Sequence, residues 1–154
     1  MKKSSCIDVI TLKMEKQGHL LVEEEAITTS AKAVSVFKSM IGSRDQEVFS
    51  LLSLNVKGEV NHYSEVHVGT LNQSIIHPRE VFKRAILSNA HAIIIGHNHP
   101  SGNLTPSKSD IEVTEELVMC GKLLGIEVHD HIIVSSGEGI SVREYNEEIF
   151  NGKT

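Results

Sequence analysis

The 154-residue chain has only two cysteines, Cys6 and Cys120, which lie far apart and form no C-x-x-C pair. Such scarcity is typical of a reducing compartment, so we expect both thiols to be packing residues rather than a disulfide or a metal-binding pair. The chain also lacks any apolar run near the roughly 20 residues that a membrane-crossing helix needs. No apolar stretch with a small-residue cleavage site follows Lys2 and Lys3, so no signal peptide is expected. Together these absences favour a cytoplasmic protein without a membrane segment.

An excess of basic residues is also missing. The formal net charge of −5 at pH 7 opposes non-specific binding of nucleic acid over the whole surface. Arg79, Lys83 and Arg84 fall at helical spacing and offer one local basic edge, for which a solvated helix face is the favoured interpretation. The length is that of one domain with a real core, and the composition is ordinary for a globular protein.

Hydrophobic periodicity predicts an alternation of strands and helices. Strands are predicted at residues 6–13, 48–54, 60–68, 90–96, 126–134 and 140–142, and helices at residues 30–40, 78–89 and 107–124. Residues after 143 are polar and are expected to form a fraying helical tail. The order β-α-β-β-α-β-α-β-β predicts an α/β sandwich with a mixed sheet.

The most informative stretch is an apolar run that ends abruptly at His97 and His99, crosses a loop, and enters a helix through Ser107 and Asp110. Alternate side chains of an extended segment share a face, so both imidazoles can point the same way. Pro100 favours an extended conformation at His99. Asp110 falls in the first turn of the helix, where the macrodipole favours its anionic form. Two imidazoles and a carboxylate have the composition of a catalytic zinc site.

Each part of this set has a structural alternative. The S-x-x-D spacing of Ser107 and Asp110 is also that of a capping box, in which the two residues only cap the helix. Nine histidines make a chance H-x-H pair common. A second H-x-H, His129-Asp130-His131, has no third ligand at a suggestive spacing. Asp130 is interpreted as a carboxylate that orients a ligand imidazole, His131 as a strand histidine with satisfied hydrogen bonds, and the roles of all three stay open.

The H-x-H-P string at His97 and the S-x-x-D string at Ser107 resemble the JAMM signature of the JAB/MPN metalloprotease-like domain. The fuller string HNHPSGNLTPSKSD, with PRE at residues 78–80 and DHII at residues 130–133, is similar to the RadC branch of that family. The resemblance covers about residues 47–142. It implies a three-layer-like α/β sandwich with a mixed, curved β-sheet of the cytidine-deaminase-like, JAB/MPN type.

The expected organisation is a single RadC-type JAB/MPN domain over residues 1–154. A strand and a helix occupy residues 1–46, the metal-binding core residues 47–142, and a C-terminal tail residues 143–154. Longer family members carry an N-terminal helix-hairpin-helix region. No such region is recognised ahead of the core here, so a short form is expected.

Carried over residue by residue, the resemblance implies one Zn²⁺ per chain with His97, His99 and Asp110 as ligands. It also implies a supporting hydroxyl at Ser107 and a general-base glutamate at Glu47, which opens the strand predicted at residues 48–54. The general base must lie within hydrogen-bond reach of the zinc-bound water. The other carboxylates that remain alternatives for the base are Glu59, Glu65 and Glu80.

The resemblance implies a zinc-dependent hydrolase of the JAMM type that cleaves a peptide or isopeptide bond of a protein or peptide substrate through a zinc-activated water. The alternative is a DNA-repair-associated, RadC-like role on or near nucleic acid, such as a metal-dependent phosphodiesterase. The acidic net charge speaks against direct DNA binding. A non-catalytic interaction module is the least favoured reading, because all the ligand positions are filled. The sequence names neither the substrate nor the oligomeric state.

Overall fold

A computed structural model describes residues 5–22, 26–70 and 76–151 of the chain. The elements in these ranges are α1 (Ser30–Ile41), β1 (Val48–Leu54), β2 (Val60–Val68), α2 (Pro78–Leu87), β3 (Ala92–Asn98), α3 (Lys108–Leu124), β4 (Glu127–Val134), β5 (Gly139–Ser141), α4 (Val142–Tyr145) and α5 (Glu148–Asn151).

The five strands form one sheet in the order β2-β1-β3-β4-β5. β3 and β4 are parallel, whereas the other neighbouring pairs are antiparallel. Helix α1 covers one face, where Phe37 packs with Leu52 and Ile94. Helices α2, α3 and α5 cover the other face, where Phe82 and Leu117 belong to the larger apolar cluster. The α/β sandwich with a mixed sheet that the sequence predicted is therefore confirmed.

The central strands β1 and β3 are buried at every position because helices cover both of their faces. This double burial is why both strands read as nearly continuous apolar runs in the sequence. β1 and β2 have the bounds that periodicity predicted, and α2 starts at Pro78 as predicted. Ile86 and Leu124 are about half exposed, because each lies in the last turn of its helix.

The predicted strand at residues 6–13 is wrong. Residues 5–22 have no regular secondary structure and are exposed at every position. A strand needs a neighbour to satisfy its backbone N–H and C=O groups. In the part of the chain that the structure describes, no strand of the sheet runs beside this segment. The described elements therefore start with α1.

The C-terminal tail is packed rather than frayed, which corrects a second expectation. Val142, Ile149 and Phe150 are buried in the larger apolar cluster. The Arg143 guanidinium lies 4.9 Å from the centre of the Phe150 ring, close enough for a cation–π contact. These few apolar side chains hold two short helices against the sheet, although the residues around them are polar. None of the helices within the described ranges combines the length and apolar character that a membrane crossing requires.

Candidate metal centre

His97 lies near the carboxyl end of β3 and faces the α3 side of the sheet. Its partner across the antiparallel β1–β3 pair is Phe49. The two rings are stacked, with their centroids 6.1 Å apart. The His97 side chain is 1% exposed, whereas that of His99, beyond the end of β3, is 14% exposed. The strand therefore holds one imidazole rigidly in the interior and presents the other near the surface.

The structure brings together the three residues that the sequence singled out as metal ligands. His97 Nε2 lies 2.8 Å from His99 Nε2 and 3.2 Å from Asp110 Oδ1, and His99 Nε2 lies 3.4 Å from Asp110 Oδ2. In a tetrahedral zinc site with bonds of about 2.0–2.1 Å, neighbouring ligand atoms lie roughly 3.3 Å apart. The donor set and its spacing therefore fit a zinc-sized ion after a slight outward adjustment of the two imidazoles.

A buried relay fixes the protonation of His97. The Thr114 hydroxyl donates to the backbone carbonyl of Asp110 over 2.6 Å, so its oxygen must accept the hydrogen of His131 Nδ1, which lies 2.6 Å away. Burial lowers the pKa of His131 well below its ordinary value and keeps the ring neutral. Its Nε2 then accepts from His97 Nδ1 at 2.7 Å. In neutral His97, the lone pair consequently lies on Nε2, the atom that faces His99 Nε2 and the Asp110 carboxylate.

His99 is oriented in the same sense by a backbone group. Its Nδ1 donates to the carbonyl oxygen of Asn103, which can only accept, so Nε2 is again the nitrogen that faces Asp110. The hydrogen bond to Asp110 raises the pKa of His99 against the opposing effect of burial. The Asn103 carbonyl and the negative charges of Asp110 and Glu47 act in the same direction.

Asp110 is held by the start of α3. Its Oδ2 accepts from Ser107 N at 2.7 Å, and its own N–H donates to Ser107 Oγ at 3.1 Å. This is the capping box that the sequence offered as the structural alternative, and here it also orients the carboxylate towards the imidazoles. Burial disfavours the charge on Asp110, yet the imidazoles of His97 and His99, which donate to the carboxylate when they are protonated, hold its pKa well below the usual range.

Glu47 immediately precedes β1, on the same side of the site as His99. The antiparallel register pairs Phe49 with His97, so continuing it by two residues places Glu47 opposite His99. The charge of Glu47 contributes to the raised pKa of His99, so the two side chains are near enough to interact. A carboxylate in this position has the chemistry of a general base beside a metal site.

Asn98 fastens the segment that carries Glu47. Its Oδ1 accepts from Val48 N at 2.7 Å, and its Nδ2 donates to the carbonyls of Gln46 at 3.0 Å and Arg44 at 3.2 Å. The Asn98 side chain is fully buried. These bonds tie the backbone around Glu47 to the same strand that carries both histidines.

The other glutamates considered for the base are engaged elsewhere. Glu65 pairs with Arg44 over 2.9 Å on β2. Glu80 lies within 4.0 Å of three basic side chains of α2. Glu59 accepts a hydrogen bond from Asn55 within the β1–β2 turn. Glu47 is the glutamate whose charge raises the pKa of His99, and none of these three glutamates shares that effect.

Asp130, the middle residue of the second H-x-H, has a different role from the one that the sequence suggested. Its Oδ1 accepts from the backbone N–H groups of His131 and Arg143, and its Oδ2 accepts from the Ser141 hydroxyl over 2.7 Å. Asp130 thus joins β4, β5 and α4 and does not orient a ligand imidazole. His131 is the buried strand histidine that was expected, but its hydrogen-bond partner is His97 itself.

Thr114 and His131 are the residues near the site whose roles the sequence did not reveal. Thr114 lies one helical turn after Asp110, which is the only signal that could have drawn attention to it. The place of His131 depends on the β3–β4 register, in which it pairs with Ile95. No spacing in the sequence predicts that register.

The RadC-like JAB domain family matches residues 27–148. UPF0758 proteins of Caldanaerobacter subterraneus, Finegoldia magna and Staphylococcus carnosus are 43%, 52% and 48% identical over 122, 109 and 118 residues. These alignments cover 79%, 71% and 77% of this chain and 52%, 49% and 52% of the relatives. The chain thus spans about half the length of the curated relatives it matches, and the names of these relatives specify no activity.

Proposed function

The chain belongs to the RadC-like JAB domain family, and from this premise we propose that it is a zinc-dependent hydrolase that cleaves an amide bond of a peptide or isopeptide. The observation that carries the proposal is the convergence of His97 Nε2, His99 Nε2 and the Asp110 carboxylate within 4.8 Å of one another. Three protein ligands leave a fourth position for water or substrate, as catalytic zinc sites do. Bound there, the ion would act as a Lewis acid and lower the pKa of a coordinated water to about 7.

Glu47 is the residue that we assign to proton transfer. In this proposal a Glu47 carboxylate oxygen takes the proton from the attacking water and passes it to the leaving nitrogen. The tether through Asn98 supports this assignment, because it holds the Glu47 backbone against the strand that carries the ligands. A fixed backbone reduces the reorganisation needed when the proton moves.

Ser107 has a hydrogen left to donate after it has capped α3. Its Oγ accepts from Asp110 N, which leaves the hydroxyl hydrogen free for another oxygen. The Ser107 side chain is exposed at the surface beside the site. We assign this hydrogen to the carbonyl oxygen of the substrate, where negative charge develops as the amide is attacked.

The first test measures metal. Protein purified without chelators should contain about one zinc per chain, and His99→Ala should lose it because one of three ligands is gone. His19→Ala is the matched control, because His19 lies on the exposed segment 5–22 away from the ligand set. Full zinc content in His99→Ala would overturn the ligand assignment.

The second test measures chemistry. The zinc form is incubated with peptide and isopeptide libraries and, separately, with single- and double-stranded nucleic acids. We expect metal-dependent amide cleavage that falls about 10²–10⁴-fold in Glu47→Gln while zinc stays bound. Glu65→Gln, whose carboxylate pairs with Arg44 on β2, should keep full activity. Zinc-dependent cleavage of nucleic acid that Glu47→Gln abolishes, without amide cleavage, would refute the amide substrate in favour of a phosphodiesterase.

A further inference from the structure

The segment of residues 5–22, here called the N-terminal arm, exposes an unusual amount of apolar surface. Every one of its residues is exposed. The relative exposures of its larger apolar side chains include Ile7 88%, Val9 99%, Ile10 79%, Leu12 70% and Leu21 101%. The arm precedes residues 27–148, which the domain family matches. Contiguous exposed apolar surface of this kind marks a contact with another molecule.

The chain leads from the arm to the outer side of β2. Ala26 forms an isolated antiparallel bridge with Glu59, next to the start of β2, and Ile27 N donates to Gly58 O at 2.9 Å. β2 is the end strand of the sheet, and its only strand neighbour among the described residues is β1. The outer N–H and C=O groups of such a strand are a template for another strand.

The edge of the chain's own β2 is too short to take the whole arm. Extending the register of the Ala26–Glu59 bridge would place Gln17 opposite Val68, the last residue of β2. Residues 6–14, which have the strongest apolar alternation, would then lie past the end of the sheet. These residues therefore lie beyond the reach of the edge of their own β2.

We infer that residues 6–14 of one copy pair with the outer edge of β2 in a second copy of this chain. The nine residues of this stretch match the nine residues of β2 in length. Ile10, Leu12 and Met14 share one face of an extended strand, so pairing would bury three apolar side chains together. Asp8 and Lys13 give the stretch no net charge, so it meets no repulsion from an acidic chain.

A second copy of the chain is the partner that can pair both with the N-terminal arm and with the outer edge of β2. Each copy supplies one arm and one outer β2 edge, so a two-fold exchange uses both arms and both β2 edges and closes. A partner of another kind would bind the arm but leave the edge of β2 unpaired in each copy. Exchange also adds a sixth strand to each sheet through backbone hydrogen bonds, which depend little on side-chain identity.

The mass in solution tests the exchange. Light scattering coupled to size exclusion should give twice the 16.9 kDa of one chain. Leu12→Asp should shift the protein to one chain's mass and leave the helical circular dichroism unchanged, because Leu12 is 70% exposed within a protomer and lies in no helix. Only the strand signal of the paired residues should fall. Leu123→Asp is the matched control, since Leu123 is 86% exposed at the end of α3, and it should leave the dimer intact. A single-chain mass for the wild type, or an intact Leu12→Asp dimer, would overturn the inference.

Hydrogen exchange locates the contact. The outward amides of β2 (Val60–Val68) should exchange more slowly in the wild type than in Leu12→Asp, and dilution should remove the difference. A dimer that Leu12→Asp dissociates without any change in β2 exchange would refute β2 as the acceptor. Protection of β2 that persists at dilutions where only single chains remain would instead show the arm folding on its own domain.

Discussion

The relay behind His97 makes one substitution especially informative. Thr114→Val keeps the shape of the side chain but removes the hydroxyl that accepts the hydrogen of His131 Nδ1. Neutral His131 can then move its proton to Nε2 and donate to His97 Nδ1. The His97 proton would in turn shift to Nε2, the nitrogen that faces His99 and Asp110. A substitution at Thr114, which does not contact the metal, would thus place a hydrogen on His97 Nε2 and prevent this atom from binding the metal.

The size of the effect follows from the burial of the relay. Thr114 and His131 are both fully buried, so leaving His131 Nδ1 without a hydrogen-bond partner costs about 1–3 kcal/mol. Loss of a group that orients a metal ligand typically reduces metal affinity about 10–100-fold. We therefore expect Thr114→Val to lower the free energy of unfolding by about 1–3 kcal/mol and to weaken zinc binding by one to two orders of magnitude.

Competition with a chelator of known affinity measures the affinity for zinc. Nitrogen-15 NMR of the imidazoles shows which ring nitrogen carries the proton. Thr114→Ser is the control, because it keeps the hydroxyl while losing a methyl group. It should retain near-wild-type affinity and keep the His97 proton on Nδ1, even if packing loss lowers its stability. Wild-type zinc affinity in Thr114→Val, or His97 protonated on Nε2 in the zinc-bound wild type, would refute the relay.

Three further predictions concern the scaffold. Asp130→Ala removes the acceptor of three hydrogen bonds, so chemical denaturation should show a loss of at least about 1–3 kcal/mol; unchanged stability would contradict its linking role. Gly96→Ala would place a Cβ 2.4 Å from the buried ring of Phe37, so thermal unfolding should show a loss of about 1–3 kcal/mol, and a wild-type melting curve would disprove this packing. Burial raises the pKa of Tyr63 to about 12. In a Tyr145→Phe protein, where Tyr63 is the remaining tyrosine, the tyrosinate absorbance after a rapid pH jump should therefore rise near that pH, and the free energy of unfolding should fall as the pH rises through it. Ionisation near pH 10 would show the ring to be solvated.

The features that the sequence predicted well are those that local patterns control. β1 and β2 have their predicted bounds because the chain turns tightly between them at residues 55–59. The histidines and Asp110 could be identified because a strand end, a proline and a helix cap fix their relative directions within 14 residues of sequence. Short-range geometry of this kind can be predicted from the sequence without a structure.

Features that depend on contacts between residues far apart in the sequence could not be predicted. An apolar–polar alternation predicts a strand at residues 6–13, yet no strand forms there within the single chain, because a strand requires an edge to pair with. The tail after residue 143 reads as polar, and only its packing shows that Ile149 and Phe150 complete the larger apolar cluster. His131 joins the site through a strand register that shifts between Ile93 and Ile94. In each case tertiary contacts, rather than local preference, decide the outcome.

The distance along the chain between Glu47 and the histidines is a consequence of the topology. β1 runs antiparallel to β3, so the start of β1 lies beside the end of β3. The loop after β3 then turns back into α3, whose first turn returns Asp110 to the same end. A base supplied from the start of β1 is separated from the ligands by the β1–β2 hairpin, α2 and most of β3, so Glu47 lies 50 positions before His97. The long separation between Glu47 and His97 in the sequence is thus what this strand order produces.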